Sequence, residues 1–176
     1  NGVLDKKFGK DGILYSVNSP TPPIIYKNKL YIVTSTKIIT FDKNSGKFLG
    51  NIQIHPKNKE FSRGAVVWGG NAFDEEKGYL YVVTGNPRPA LIGIDRPGRN
   101  KNANSLVAID VNKSKIIWSF QDVFHDLWDF DISSPPIISD LKINNKYLEA
   151  IIISTKTGNT YIFERNTGNS FFDLDF

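Results

Sequence analysis

The stretch Ala108-Ile109-Asp110-Val111-Asn112-Lys113-Ser114-Lys115, followed by Trp118, decides the fold of this chain. It reads as a strand that ends in an acid, then a tight turn, then a second strand. A carboxylate just before a turn can accept hydrogen bonds from the turn amides, and Gly or Asn tolerates the positive φ that hairpin turns demand. The stretch therefore predicts an antiparallel hairpin whose turn is closed by Asp110.

Two further copies of this pattern occur in the chain. One reads Thr-Phe-Asp-Lys-Asn-Ser-Gly-Lys from Thr40, and the other reads Ile-Phe-Glu-Arg-Asn-Thr-Gly-Asn from Ile162. The acids of the three copies, Asp42, Asp110 and Glu164, lie 68 and then 54 residues apart. A four-stranded propeller blade needs about 40–50 residues, plus any long loops. A plain stack of hairpins would also repeat such a turn, but the spacing favours the blades of a β-propeller.

The remainder of the chain also predicts an all-β protein. Short runs rich in Ile, Val, Tyr and Thr alternate with clusters of Gly, Pro, Asn and Asp, and no window holds a 3.6-residue apolar period over three turns. The clearest strand-like runs are 29–35, 37–42, 79–84, 105–110, 115–120, 150–155 and 159–164.

The composition excludes several classes of protein and site. Of the 176 residues, 40% are hydrophobic and 23% are charged, which is an ordinary globular balance. The net charge of +4 comes from scattered basic residues, without the basic stripe that would imply nucleic acid. The chain has no Cys, which excludes a disulfide framework and a thiolate metal site. No apolar run approaches the roughly 20 residues that cross a bilayer.

The chain also reads as a piece of a longer protein. It contains no Met, even at position 1, and it begins and ends inside apparent structural units. We therefore expect residues 1–176 to form one partial β-propeller domain of about three blades, truncated at both ends. Three blades cannot close a ring, so the isolated piece would keep exposed strand edges.

The stretch His125-Asp126-Leu127-Trp128-Asp129-Phe130-Asp131 is the strongest candidate for a functional loop. It packs an imidazole, three carboxylates and an indole between two strand-like runs. Functional sites concentrate on loops that a rigid scaffold holds in place. A solvated acidic turn anchored by Trp128 is the alternative, and these seven residues alone do not decide between the two.

The repeat resembles the tryptophan-docking repeat of quinoprotein dehydrogenases, which are eight-bladed propellers that bind pyrroloquinoline quinone (PQQ). The likeness rests on the acid, the Lys and the Trp of the copy at Ala108–Trp118. That copy departs from the family at Lys113-Ser114, where Thr-Gly is usual. The first and third copies have Gly50 and Phe172 where the family has the closing Trp.

The likeness extends over almost the whole chain and is strongest from Gly64 to Gly168. Segments in family order and near family spacing are 2–5, 8–12, 64–70, 73–81, 84–87, 95–98, 104–108, 125–129 and 155–159. The chain looks most similar to the glucose dehydrogenase branch. This resemblance implies oxidation of a sugar or alcohol hydroxyl, with electrons passed to ubiquinone or cytochrome c. It also implies a periplasmic location and membrane association, if any, through parts outside this chain. The alternative is a non-catalytic propeller with similar repeats, such as an outer-membrane assembly lipoprotein.

The resemblance also implies roles for four residues. Trp68 would be the floor on which the flat quinone lies, because a large π-face suits a planar cofactor; the alternative is a core Trp. Lys156 would stabilise negative charge that grows on the quinone oxygens; the alternative is an ordinary surface Lys. Asp129 would be the catalytic base that takes the proton of the substrate hydroxyl. Asn86 would give its amide oxygen to the cation; the alternative is an Asn in the positive-φ slot of a turn.

The cation implied by the resemblance is Ca²⁺, with Mg²⁺ as the alternative, because hard oxygen donors suit it. Asn86 and Asp129 are the metal-binding candidates in this chain, and a Glu that the family usually adds would lie outside it. Asp126 and Asp131 are predicted to be structural and to bond loop amides. His125 is predicted to orient the loop, with substrate contact as the alternative. We expect the four site residues to converge although they are far apart in sequence.

Overall fold

The computed structural model describes residues 2–15, 17–56, 64–143 and 145–172, and their regular structure is β-strand. The strands are β1 (Ile24–Tyr26), β2 (Lys29–Val33), β3 (Lys37–Asp42), β4 (Phe48–Gln53), β5 (Asn71–Asp74), β6 (Tyr79–Val83), β7 (Ser105–Asp110), β8 (Lys115–Gln121), β9 (Ile137–Ile143), β10 (Lys146–Ser154) and β11 (Thr160–Glu164). The described part contains no helix long and apolar enough to span a membrane. The prediction of an all-β chain is therefore confirmed.

The strands form three separate antiparallel sheets. The first has the order β1-β2-β3-β4, the second β5-β6-β7-β8, and the third β9-β10-β11. Each strand pairs with its neighbour in sequence, which is the meander expected of successive propeller blades.

The middle sheet is buried on both faces, because side chains alternate between the two faces of a strand. Val107 and Ile109 of β7 belong to a core cluster shared with the first sheet. Leu106 and Ala108 belong to a second cluster shared with the third sheet. Every residue of β7 is buried, which explains why 106–109 is an unbroken apolar run rather than an alternating pattern.

The acids of the first two copies, Asp42 and Asp110, close their turns through backbone amides, as predicted, whereas the Glu164 carboxylate of the third copy accepts from the Thr167 hydroxyl. Asp42 Oδ1 accepts hydrogen bonds from the backbone N–H groups of Asn44 at 3.1 Å and Ser45 at 2.8 Å. Asp110 Oδ1 accepts from those of Asn112 at 2.9 Å and Lys113 at 3.0 Å. The Ser45 hydroxyl also donates to Asp42 Oδ1, at 2.8 Å, and this side-chain bond is the largest cause that lowers the pKa of Asp42. Each carboxylate therefore holds the turn in which it sits.

Trp118 joins the second sheet to the third. Its indole Nε1 donates to the carbonyl of Arg165 at 3.0 Å, and its ring lies over Gly168 in the turn of the third copy. A Cβ at Gly168 would lie 2.6 Å from Trp118 Cδ2, so the docking site requires glycine. The first copy has Gly50 in place of this Trp, and the turn residue of the second copy that corresponds to Gly168 is Ser114. Trp118 of the second copy docks on the turn glycine of the third copy. The first copy lacks this Trp, and the second copy lacks the matching Gly.

Candidate active site

Asp126 organises the loop between β8 and β9. Its buried carboxylate accepts hydrogen bonds from the backbone N–H groups of Trp128 and Phe130, both at 2.8 Å. Asn104 Nδ2 donates to the same carboxylate at 2.9 Å. These bonds agree with the prediction that Asp126 bonds loop amides.

Asp129 lies between the two amides that Asp126 holds. Its backbone is left-handed, with a φ of 66°, a conformation that Asp adopts more readily than most residues. Its side chain is 48% exposed, and its Oδ2 lies 3.4 Å from Lys156 Nζ. Lys156 Nζ also donates to the Asp129 carbonyl at 3.0 Å. The loop therefore presents this carboxylate outward, with a cation beside it.

Asp131 has a larger part in the site than the sequence predicts. Its carboxylate accepts hydrogen bonds from Lys156 Nζ at 2.7 Å, from the Asn86 backbone N–H at 2.7 Å and from Trp68 Nε1 at 3.5 Å. The bond to Asn86 is the loop-amide bond expected of a structural residue. The other two bonds join Asp131 to the site itself, so a purely structural assignment is too narrow. The neighbouring Gly85 is a signal for this contact, because a Cβ there would overlap Asp131 Oδ1.

Lys156 is held as a cation by two carboxylates. The hydrogen bond to Asp131 is the largest cause that raises the pKa of Lys156, and Asp129 acts in the same direction against partial desolvation. The ammonium therefore remains charged at neutral pH. Such a fixed charge is unlike that of an ordinary mobile surface Lys.

Trp68 and Asn86 lie at the ends of the second sheet. Trp68 precedes β5 and is 46% exposed, which does not fit the alternative of a core Trp. Asn86 follows β6 and is buried, and it is not among the described residues with positive φ, so the turn alternative does not apply. Asn86 Nδ2 has no hydrogen-bond partner among the described residues.

One cavity of about 480 Å³ contains all four predicted site residues. Its lining consists of Gly64, Val66, Trp68, Asn86, Arg88, Asp129, Asp131 and Lys156. Trp68 and Asn86 come from around the second sheet, whereas Asp129 and Lys156 come from connections in the third-sheet region. The expected convergence is therefore observed. Arg88 was not predicted; the only sequence signal is its place directly after the Thr84–Pro87 segment.

His125 lies outside the lining of this cavity. Its Nδ1 bonds the carbonyl of Gly98 at 2.9 Å, and its backbone N–H donates to the carbonyl of Arg99 at 3.3 Å. Both contacts are to the loop between β6 and β7, which agrees with the predicted loop-orienting role.

A metal site cannot be recognised from acidic and imidazole side chains alone. No group of three or more His, Cys, Asp or Glu within the described ranges could hold a metal ion. A cation site that uses the Asn86 amide oxygen and the Asp129 carboxylate would need further oxygen ligands that do not come from a cluster of described His, Cys, Asp or Glu side chains.

Comparison with known proteins agrees with this architecture. The family model for the PQQ glucose/ethanol/alcohol dehydrogenase β-propeller domain matches residues 41–175. Quinoprotein glucose dehydrogenase A of Acinetobacter calcoaceticus is 38% identical over 103 residues, covering 57% of this chain and 13% of that protein. Quinoprotein glucose dehydrogenase of Escherichia coli K12 is 27% identical over 200 aligned positions, covering 96% of this chain and 25% of that protein.

Among solved structures, the quinohemoprotein alcohol dehydrogenase of Comamonas testosteroni superposes with a TM-score of 0.74. It is 23% identical, and the match covers 89% of this chain and 28% of that one. The likeness supports the propeller fold. The chain spans only 13% and 25% of the length of the two glucose dehydrogenases that it matches.

Proposed function

This chain belongs to the family of PQQ-dependent glucose, ethanol and alcohol dehydrogenase β-propellers, and we propose that its 480 Å³ cavity is the PQQ and substrate site. The observation that carries the proposal is the pairing of Asp129 and Lys156, 3.4 Å apart, beside the exposed ring of Trp68. A base, a fixed cation and an aromatic face are the three groups that oxidation of a hydroxyl on a planar quinone requires.

The residues present fit PQQ, a flat and polyanionic molecule. The cavity lies in the range of about 300–1,000 Å³ that is usual for small-molecule sites. Trp68 offers an exposed π-face for stacking, and Lys156 offers a charged donor. The unpaired Asn86 Nδ2 is a further donor at the cavity wall.

PQQ, when bound, supplies the oxidant by accepting a hydride from the substrate carbon. The protein must then accept the proton of the substrate hydroxyl, and the half-exposed Asp129 carboxylate is placed to take it. Lys156 holds positive charge at the cavity wall, where it stabilises developing negative charge. Asp131 keeps Lys156 in position at 2.7 Å, so the cation needs little reorganisation during the reaction.

We further propose a divalent cation, Ca²⁺ or alternatively Mg²⁺, bound by the Asn86 amide oxygen and the Asp129 carboxylate. Both groups line the cavity, and hard oxygen donors suit these ions. The names of the two similar glucose dehydrogenases support a glucose-like sugar as substrate, with an alcohol as the alternative. Ubiquinone or cytochrome c as the electron acceptor, and a periplasmic location, are proposals that rest on the family resemblance.

The test is to replace Asp129 with Asn in the full-length protein. The change keeps the shape and a hydrogen-bonding tip but removes the base. We expect the dye-linked rate with saturating PQQ and Ca²⁺ to fall by about 10²–10⁴-fold, which is the usual contribution of a general base. PQQ should still bind in a titration of the same preparation.

Two other variants provide the comparison. Asp95→Asn makes the same chemical change on an exposed loop position and should leave the rate unchanged. Asp126→Asn should cost far less rate than Asp129→Asn and chiefly loosen the loop. Near-full rate in Asp129→Asn with a large loss in Asp126→Asn would show that the wrong carboxylate was chosen. If neither variant loses rate, the catalytic assignment of this loop is wrong.

A further inference from the structure

Arg96 is a completely buried cation in the loop between β6 and β7. Its Nε donates to the Pro89 carbonyl at 2.8 Å and its Nη1 to Asn100 Oδ1 at 2.7 Å. Its Nη2 donates to the Ala90 carbonyl at 3.0 Å and also to the carbonyl of Asp126. The guanidinium thus closes its own loop and fastens that loop to the one that carries Asp129.

Burial of the Arg96 guanidinium is costly, because it removes a charge from water. Among the described residues, no carboxylate lies at ion-pair distance from it to offset this cost. A buried charge is tolerated only when its donors are satisfied, and here four neutral oxygen acceptors receive hydrogen bonds from four of the five N–H donors. A buried Lys could not replace this arrangement, because a single ammonium cannot span acceptors on both loops.

The contact with Asp126 continues towards Asp129. Arg96 holds the Asp126 carbonyl, and the Asp126 carboxylate holds the amides of Trp128 and Phe130. Those two amides flank Asp129, whose left-handed φ of 66° costs energy and persists only because its surroundings enforce it. The conformation of Asp129 is therefore set by a short chain of hydrogen bonds that starts at Arg96.

We infer that Arg96 is a positioning residue for Asp129: it fixes the 126–130 segment so that the Asp129 carboxylate faces the cavity. The inference rests on the proposed function, because it assigns Asp129 the role of base. Arg96 itself does not line the cavity.

The first measurement does not depend on activity. In the full-length Arg96→Lys variant without PQQ, we expect the amides of Trp128 and Phe130 to exchange hydrogen about 10-fold faster than in the wild type, because local opening becomes easier. The amides of the fully buried strand β7 should keep their wild-type rates. General destabilisation would instead accelerate both sets together.

The second measurement is the dye-linked rate per bound PQQ. A misplacement on the order of 1 Å costs up to about 100-fold in rate, so we expect kcat per loaded site to fall about 10- to 100-fold in Arg96→Lys. The affinity for PQQ should stay within about 3-fold of the wild type, since Arg96 does not line the cavity. Arg99→Gln is the matched control: Arg99 is exposed on the same loop, its guanidinium stacks 3.8 Å from the Phe124 ring centroid, and neither readout should change.

The outcomes separate the inference from the proposed function. Unchanged loop exchange, or faster exchange with an unchanged rate per loaded site, would overturn the positioning role while leaving Asp129 as the base. A full rate in Asp129→Asn in the same assay would overturn the proposed function instead. If Arg96→Lys does not fold, Asn100→Gly removes one acceptor of Arg96 while tolerating the φ of 56° at that position. Its loop exchange and rate per loaded site then decide the matter in the same way.

Discussion

At the scale of single residues, two carboxylates separated by one residue differ in their surroundings. The Asp131 side chain is 8% exposed and has three hydrogen-bond donors around it, whereas that of Asp129 is 48% exposed. The Asp131 oxygens are therefore already engaged, whereas the Asp129 carboxylate faces the cavity, which supports the role of base that we propose for it. The same Lys156 contacts both, so the pair and its cation form one electrostatic unit.

His55 is a second residue whose surroundings fix its protonation state. It is buried at the end of the first sheet, and its Nε2 donates to the Ala65 carbonyl at 3.0 Å. Burial lowers the pKa of His55 to about 4 from its usual 6.5, against smaller opposing effects of the carbonyls of Ala65 and Lys101. The folded protein therefore keeps this imidazole neutral at pH values where the unfolded chain protonates it.

This difference predicts a loss of stability in mild acid. Below pH 6.5 the unfolded state takes up a proton that folded His55 does not, so the free energy of unfolding falls until the pH reaches about 4. A difference of this size corresponds to roughly 3 kcal/mol over the whole interval. The measurement is the unfolding free energy of the wild type and of His55→Gln between pH 8 and pH 4.

Comparing the wild type with His55→Gln separates the effect of His55 on stability from the effects of other titrating groups. At pH 8 the wild type should be more stable, because it keeps the hydrogen bond to Ala65 and the original packing. That advantage should shrink by roughly 3 kcal/mol as the pH falls to 4. Two stability curves that stay parallel over the interval would show that His55 titrates alike in the folded and unfolded chains.

At the scale of structural elements, the hairpin turn and the docked Trp together define the repeat. The Trp118 ring packs on Tyr81 of its own sheet and on Phe163 of the third sheet, with centroids 6.0 Å and 6.1 Å away, and its indole N–H donates to the Arg165 carbonyl. Gly168 is needed both for its φ of 75° and for its closeness to the indole. The two requirements can be separated by mutation.

Gly168→Ala should destabilise the protein more than Gly158→Ala does. Gly158 also has a positive φ, of 88°, but a Cβ there would meet nothing within 4 Å, so it reports the backbone cost alone, about 1–2 kcal/mol. Gly168→Ala adds a clash with Trp118 and should cost a further 1–3 kcal/mol or so. The measurement is the denaturant midpoint of each variant. Equal losses of stability in the two variants would mean that Trp118 can move away from the added Cβ without cost.

The sequence predicts some elements better than others for physical reasons. β3 and β7 were predicted with their exact bounds, because both are rich in β-branched residues and end at the acid of the repeat. β4 was predicted only as the second strand of the first repeat copy, without bounds, and β5 was missed. β4 contains Gly50 and is mostly exposed, and β5 has four residues and little apolar signal. Strands of this kind are specified by pairing with their neighbours rather than by their own pattern.

The same division holds for the candidate site. Trp68, Asn86, Asp129 and Lys156 were found because their motifs resemble those of a known family. Asp131 was assigned too narrow a role, and Arg96 was covered only by the family-like segment 95–98. Their partners are 25 to 63 residues away along the chain in the case of Asp131, and no local spacing reveals such contacts.

At the scale of the whole molecule, charged contacts between sheets supplement the apolar cores. Arg165, which follows β11, pairs with Asp74 of β5 at 3.1 Å and with Asp140 of β9 at 2.6 Å. Lys77, in the turn after β5, pairs with Glu149 of β10 at 2.7 Å. The pairs Arg165–Asp74 and Lys77–Glu149 fasten the second sheet to the third, whereas Arg165–Asp140 lies within the third sheet. The site cavity lies between connections of the same two sheets.

The first and third sheets, by contrast, carry large apolar side chains that no described residue covers. Phe48 and Leu49 of β4 are 57% and 49% exposed, and Ile137 of β9 and Tyr147 of β10 are 58% and 77% exposed. Together with unpaired strand edges, such side chains favour association with other strands or other copies. In a closed propeller each sheet would instead have a neighbour on either side.

We therefore predict that the 176-residue chain, produced by itself, associates and has no dehydrogenase activity. Light scattering after size exclusion should show species larger than the 19.8 kDa monomer, and dye reduction with added PQQ and Ca²⁺ should stay at background. If exposed apolar strands cause the association, Phe48→Lys should raise the monomer fraction, whereas Lys115→Glu, an exposed change on β8, should not. A stable monomer that binds PQQ would contradict this prediction, because it would show that two sheets and their loops suffice to build the site without further blades.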